Sequence, residues 1–195
     1  MLSKQKRAPE GVVFFSGYHG VGKTYTATAM LESFNARIID CGPIIRDIFS
    51  KSGFNSFDGW VQNMEQRFGQ KWDDELLLMA IKDCISSEEL LFIVGNRDIE
   101  TILFLSERLP HRKPSLVLYL EKPVSVIKGG YELRTKALLT DKEFETILHS
   151  GPDKKLGSVR QYVIEHPECC KLIYEEAYSN NSIEEAVAFV KEKYQ

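Results

Sequence analysis

Residues 12–24 read Val12-Val13-Phe14-Phe15-Ser16-Gly17-Tyr18-His19-Gly20-Val21-Gly22-Lys23-Thr24. An apolar run of β-branched and aromatic residues ends at Ser16, and Gly17 to Thr24 satisfy G-x-x-x-x-G-K-[ST] without a gap. Beyond the motif, Ala27, Met30, Leu31 and Phe34 fall at i, i+3, i+4 and i+7, the spacing of one buried helical stripe. Strand, glycine-rich turn and helix in that order is the context this pattern needs. The glycines let successive backbone N–H groups turn inward around a polyphosphate, and the helix N-terminus adds partial positive charge. On this reading Gly17, Tyr18, His19, Gly20, Val21, Gly22, Lys23 and Thr24 cradle the phosphates of ATP. Lys23 reaches the β- and γ-phosphates, and Thr24 offers its hydroxyl to Mg²⁺, which favours oxygen ligands. His19 either faces the nucleotide or a second substrate, or is solvated.

Four more β-rich runs follow: Arg37 to Asp40, Leu90 to Val94, Ser115 to Leu120 and a weaker one near Leu172 to Tyr178. Unbroken apolar runs suit strands buried on both faces of a parallel sheet. Helical spacing recurs in Ile44, Ile48 and Phe49, in Leu76, Leu77, Ala80, Ile81 and Cys84, and in Ile99, Ile102 and Leu103. Asp73 and Asp74 stand where helix N-terminal acids belong. Ser182 with Glu185 forms a capping-box signature for a last helix from Ile183. The alternation predicts an α/β domain. Two stretches leave this pattern: residues 53–72, with both Trp, and residues 121–157, where Gly129-Gly130 suggests a hinge.

Composition narrows the class. The 195 residues carry 25 Lys plus Arg against 28 Asp plus Glu, a net charge of −3, which argues against a chain that works by coating nucleic acid. Lys4, Lys6 and Arg7 precede an apolar run, Val12 to Phe15, too short for a signal-peptide core or a membrane span, so a cytoplasmic location is expected. Cys41, Cys84, Cys169 and Cys170 lack C-x-x-C spacing and read as reduced thiols.

Further segments carry a resemblance. Asp40-Cys41-Gly42-Pro43-Ile44-Ile45-Arg46 is similar to a G-D-x-[IL]-R segment, and Val94-Gly95-Asn96-Arg97 to a D-G-x-R segment. Arg134, Lys136, Asp141, Phe144 and Asp153-Lys154-Lys155-Leu156-Gly157 resemble an arginine-bearing lid and the R-D-x-x-E-x-G segment after it. Asn180-Asn181-Ser182-Ile183-Glu184-Glu185 resembles an N-x-G-S-x-E-E loop. In this order they resemble the P-loop nucleoside monophosphate kinase group, and most of all its dephospho-CoA kinase and adenylate-kinase-like members.

The resemblance implies a three-layer P-loop NTPase fold over residues 1–195, with a central parallel five-stranded sheet and helices on both faces. An acceptor-binding insert is expected near 43–75 and a lid-like segment near 121–157. It implies transfer of the γ-phosphate of ATP, with Mg²⁺, to a small phosphorylated metabolite, most readily a nucleoside or deoxynucleoside monophosphate. Arg46 and Arg97 would hold the acceptor's phosphate, Lys23, Arg97 and Arg134 would act on the transferred group, and Asn180 would lie near the adenine. Neither a nucleic acid nor a membrane is an expected partner.

Departures keep two alternatives open. The acid of D-G-x-R is Val94 here, the Asp of G-D is Pro43, and the lid offers only Lys128, Tyr131 and Arg134. Asp40 is the nearest replacement acid, either a base for a ribose hydroxyl, as transfer to dephospho-CoA requires, or a turn residue. The missing acid and sparse lid also suit a nucleotide-binding regulator or slow NTPase.

Overall fold

The computed structural model describes residues 10–69, 71–85, 89–149, 151–176 and 180–194. Lys4, Lys6, Arg7 and positions 177–178 of the last expected strand lie outside them. Five strands, β1 (Val12–Ser16), β2 (Ala36–Asp40), β3 (Leu90–Val94), β4 (Leu116–Glu121) and β5 (Cys170–Tyr174), form an all-parallel sheet in the order β2-β3-β1-β4-β5. The helices are α1 (Lys23–Ala29), α2 (Cys41–Ser50), α3 (Phe57–Phe68), α4 (Trp72–Cys84), α5 (Ile99–Arg108), α6 (Val124–Thr135), α7 (Asp141–Leu148), α8 (Leu156–Glu165) and α9 (Asn181–Tyr194).

Every residue of β1 and β3 is buried, as unbroken apolar runs require. Successive side chains go to opposite faces. Val12, Phe14, Leu91, Ile93, Val117 and Tyr119 pack against Leu77 and Ile81 of α4, Ile102 and Leu105 of α5, and Val159 and Val163 of α8. Val13, Phe15, Phe92, Val94, Leu116 and Leu118 meet Ala27 of α1, Ile127 of α6, Phe144 of α7, and Phe189 and Val190 of α9. The result is the expected three layers. The end of α9 is tied back to the sheet, because the Tyr194 hydroxyl donates to Val12 O at 3.0 Å or Pro114 O at 2.9 Å.

Both departures from the pattern turn out helical. Residues 53–72 hold α3, which starts where Ser56 Oγ accepts from Gly59 N at 3.3 Å. Its Trp60 is 2% exposed among Phe49, Phe57 and Trp72, with ring centroids 4.8–5.6 Å away. Residues 121–157 hold α6, α7, a 3-10 turn over Gly151–Lys155 and the start of α8. Gly129 and Gly130 fall inside α6 rather than in a loop. The crowding is at the phosphate loop: a β-carbon on Gly20 would lie 2.8 Å from Ile127 O and 3.4 Å from the carbonyl carbon of Gly130.

The last helix also starts differently. Asn180 O accepts from Ile183 N and Glu184 N, each at 3.1 Å, which makes Asn180 the cap. Ser182 sits inside the first turn with its N–H toward Glu175 Oε1 at 3.3 Å, and Glu185 pairs with Lys171 at 2.8 Å, so the expected Ser182–Glu185 box does not form. The four thiols are free. Among the described residues no helix is long and apolar enough to cross a membrane.

Phe92 is fully buried, edge-on to Phe15 at 5.3 Å. Phe92→Ala should cost about 3–5 kcal/mol of unfolding free energy in urea titration, as large core cavities do. A loss below about 1 kcal/mol would contradict the packing described here.

Candidate active site

A cleft of about 250 Å³ opens at the C-terminal edge of the sheet, around the loop that joins β1 to α1. In an open parallel α/β sheet this is where ligands bind. The loop keeps its shape through glycine. Gly17 has φ +130°, and a β-carbon there would come within 3.3 Å of the backbone of Leu120, so no other residue fits. His19, Gly20, Gly22, Lys23 and Thr24 line the cleft. Val21 is fully buried in the core and Tyr18 packs against it, so these two contribute backbone rather than side chain to the loop's cavity.

Lys23 is buried and folds back on its own loop, donating to Gly17 O and Tyr18 O at 2.7 Å each. Burial and then the charge of Arg97 lower its pKa from 10.5 to about 7. A polyphosphate in the loop would supply the missing counter-charge. Next to it, Thr24 Oγ1 lies 3.5 Å from Asp40 Oδ2. Asp40 caps α2, with Oδ1 accepting from Gly42 N at 3.0 Å. The turn reading of Asp40 therefore holds, since it caps α2, and the residue also lines the cleft.

The register explains how Asp40 relates to Val94. In the parallel ladder Asp40 stands opposite Val94, and Val94 opposite Phe15. The acid absent from β3 is thus present one strand away at the same level. Val94 itself is buried and lines the cleft floor.

Three guanidinium groups complete the lining: Arg46 from α2, Arg97 after β3 and Arg134 from α6. Arg46 and Arg134 are exposed and have no carboxylate within 4 Å among the described residues. Arg97 is different, since its side chain is 16% exposed and its Nε lies 3.1 Å from Asp153 Oδ1. The resembling lid segment named Asp153, but nothing in its spacing marked it as a site residue. It is 3% exposed and its carboxylate also meets His19 Nδ1 at 3.1 Å. Burial alone would raise the Asp153 carboxyl. The His19 hydrogen bond and the charges of Arg97 and Lys23 outweigh it and hold the group below the usual range.

Other expected residues lie elsewhere. Asn180 is exposed at the start of α9 and does not line the cleft. Lys128 pairs with Asp141 at 2.7 Å, Lys155 with Asp98 at 2.5 Å, and Lys136 is the left-handed C-cap of α6. Asp74 is buried and accepts from Thr101 Oγ1 at 2.6 Å, a structural role.

The Thr24 hydroxyl and Asp40 carboxylate are hard oxygen donors, which suits Mg²⁺ bound partly by nucleotide phosphates. Among the described residues no cluster of three or more His, Cys, Asp or Glu forms a complete protein cage.

No protein-family model matches the chain, and no curated protein matches it in sequence. Solved structures do match. A gluconokinase from Sinorhizobium meliloti 1021 superposes with a TM-score of 0.57 at 17% identity, over 95% of this chain and 94% of that one. The fold is that of the P-loop kinases. A shikimate kinase from Bacteroides thetaiotaomicron gives a TM-score of 0.45 at 18% identity, over 93% of this chain and 96% of that one. The likeness to the gluconokinase shows the fold and does not single out the monophosphate-kinase group.

The state of Lys23 leads to a measurable consequence. A bound triphosphate favours the charged amine and raises its pKa from about 7, so ATP binding at about pH 8 should take up close to one proton. Calorimetry in buffers of different ionisation enthalpy should register this uptake, and Lys23→Met should remove it. Binding with no proton uptake would contradict the burial that lowers the pKa of this amine.

Proposed function

We propose that the protein is an ATP-dependent kinase that moves the γ-phosphate to a small anionic acceptor, a nucleoside or deoxynucleoside monophosphate. The observation that carries this reading is the convergence of Lys23, Arg46, Arg97 and Arg134 on one cleft, with Arg46 and Arg134 lacking carboxylate partners among the described residues. Exposed guanidinium groups that share one cleft without carboxylate partners repel, and an acceptor bearing its own phosphate relieves that repulsion while being gripped in a fixed direction.

The chemistry follows from charge. Phosphoryl transfer spreads negative charge over the equatorial oxygens, so catalysis is mostly positioning and electrostatic stabilisation. The loop N–H groups and Lys23 hold the β- and γ-phosphates. Arg97, held by His19 and the buried Asp153, presents its guanidinium to the transferred group, and Arg46 on α2 holds the acceptor's phosphate. Arg134 on α6 covers the cleft from the other side. Thr24 and Asp40 would hold Mg²⁺, which would supply charge neutralisation for the nucleotide phosphates.

Asp40 bears on the choice of acceptor. Its Oδ1 is engaged by the cap and its Oδ2 faces Thr24, which suits a place beside the metal better than proton abstraction. A hydroxyl acceptor such as dephospho-CoA needs a base, whereas a phosphate acceptor brings its own anionic nucleophile. This favours the monophosphate.

Product analysis with ATP, Mg²⁺ and a panel of nucleoside monophosphates, deoxy forms, dephospho-CoA and hydroxy acids tests the proposal. Transfer to a monophosphate is expected. Transfer only to a hydroxyl overturns the acceptor class, and tight ATP binding without any transfer overturns the kinase reading. Arg97→Ala should lower kcat about 10²–10³-fold, as loss of one transition-state donor does. Arg46→Ala should instead raise the acceptor's KM about tenfold, leaving the KM for ATP nearly unchanged.

A further inference from the structure

His19, Arg97 and Asp153 come from three separate segments: the phosphate loop, the turn after β3, and the 3-10 turn before α8. Arg97 Nη2 lies 2.6 Å from His19 Nε2, and His19 Nδ1 lies 3.1 Å from Asp153 Oδ2. The His19 backbone N–H points to the same oxygen at 3.4 Å. A guanidinium has donors and no acceptor, so His19 Nε2 must present its lone pair to Arg97. The single ring proton is then on Nδ1, where it donates to Asp153. The polarity of the chain of contacts is fixed from both ends.

The direct contact between Arg97 and Asp153 does not replace this link. Arg97 Nε and Asp153 Oδ1 are 3.1 Å apart, but neither atom makes an aligned hydrogen bond among the described residues. Their contact is one of charge. The directed bond that orients the guanidinium plane is the one from Nη2 to His19, and the Asp153 side chain that anchors the ring is 2% exposed.

We infer, on the proposed kinase reading, that neutral His19 is a positioning residue: it holds Arg97 in its catalytic orientation through a relay anchored on buried Asp153. The groups facing the ring are Asp153, Arg97, Lys23 of α1, and Tyr131 and Arg134 of α6, with Tyr131 edge-on at 6.3 Å. Three of these are cations and one is an anion, so a second ring proton is disfavoured. Burial first, and then Arg97 and Lys23, lower the His19 pKa below 6.5 despite the pull of Asp153. Protonation removes the acceptor lone pair and adds a positive charge against Arg97, so the guanidinium is released as pH falls through the His19 pKa. The native state, which binds this proton less readily than the unfolded chain, loses stability over the same acid range.

Two readouts test the inference, one of them independent of turnover. Long-range ¹H–¹⁵N NMR of the imidazoles, with the His19 signals assigned by their loss in His19→Gln, should find a neutral ring with the proton on Nδ1 and a pKa below 6.5. A proton on Nε2, or a cationic ring at neutral pH, overturns the relay whether or not the protein is a kinase. In transfer assays His19→Ala should lower kcat about 10- to 100-fold, as misplacement of a positioned group does, with KM for ATP changed less than about twofold. His19→Gln should restore most of kcat, because its Oε1 accepts from Arg97, and should flatten the acid limb of the kcat profile. Persistence of that limb in His19→Gln, or wild-type kcat in His19→Ala, overturns the positioning role. Absence of transfer in the wild type with the expected NMR tautomer would count against the kinase reading alone.

Discussion

The parallel register that ends β2, β3 and β1 at one level is the constraint on which the cleft depends. Asp40, Val94 and Phe15 are consecutive partners across three strands, so the chain leaves each strand at the same edge of the sheet. A parallel ladder cannot shift by one residue without turning its buried side chains to the wrong layer. With Phe14 and Phe15 committed to opposite cores, the positions of Gly17, Asp40 and Arg97 follow. Asp40 on the neighbouring strand stands at the same height as Val94 on β3.

Charge at that edge is arranged in two depths. Lys23 is buried and Arg97 half-buried, the first held by loop carbonyls and the second by His19 and Asp153. Arg46 and Arg134 are exposed and unpaired with carboxylates among the described residues. A chain with net charge −3 therefore gathers Lys23, Arg97, Arg46 and Arg134 around one cleft.

Much of this was legible in the sequence because it rests on short-range rules. The motif from Gly17 to Thr24 follows an apolar run and precedes a helical stripe, and buried runs marked β1, β3 and β4 to within a residue. Helical stripes were read less well: Leu105 rather than Leu103 faces the core, since a stripe of three residues does not define a face. Gly129-Gly130 lies inside α6, where the helix packs on Gly20, and the expected Ser182–Glu185 box is replaced by a helix start at Asn180, with Glu185 paired to Lys171. Asp153 was invisible as a site residue because its partners lie 56 and 134 positions away, a separation no local pattern encodes.

The claim that one cleft joins a triphosphate to an anionic acceptor is tested most directly by titration with two nucleosides joined through five phosphates. Occupying both halves at once should make this compound bind about 10²-fold tighter than ATP or more, and it should compete with both ATP and monophosphate. Affinity no greater than that of ATP, or failure to displace the monophosphate, would contradict the shared cleft.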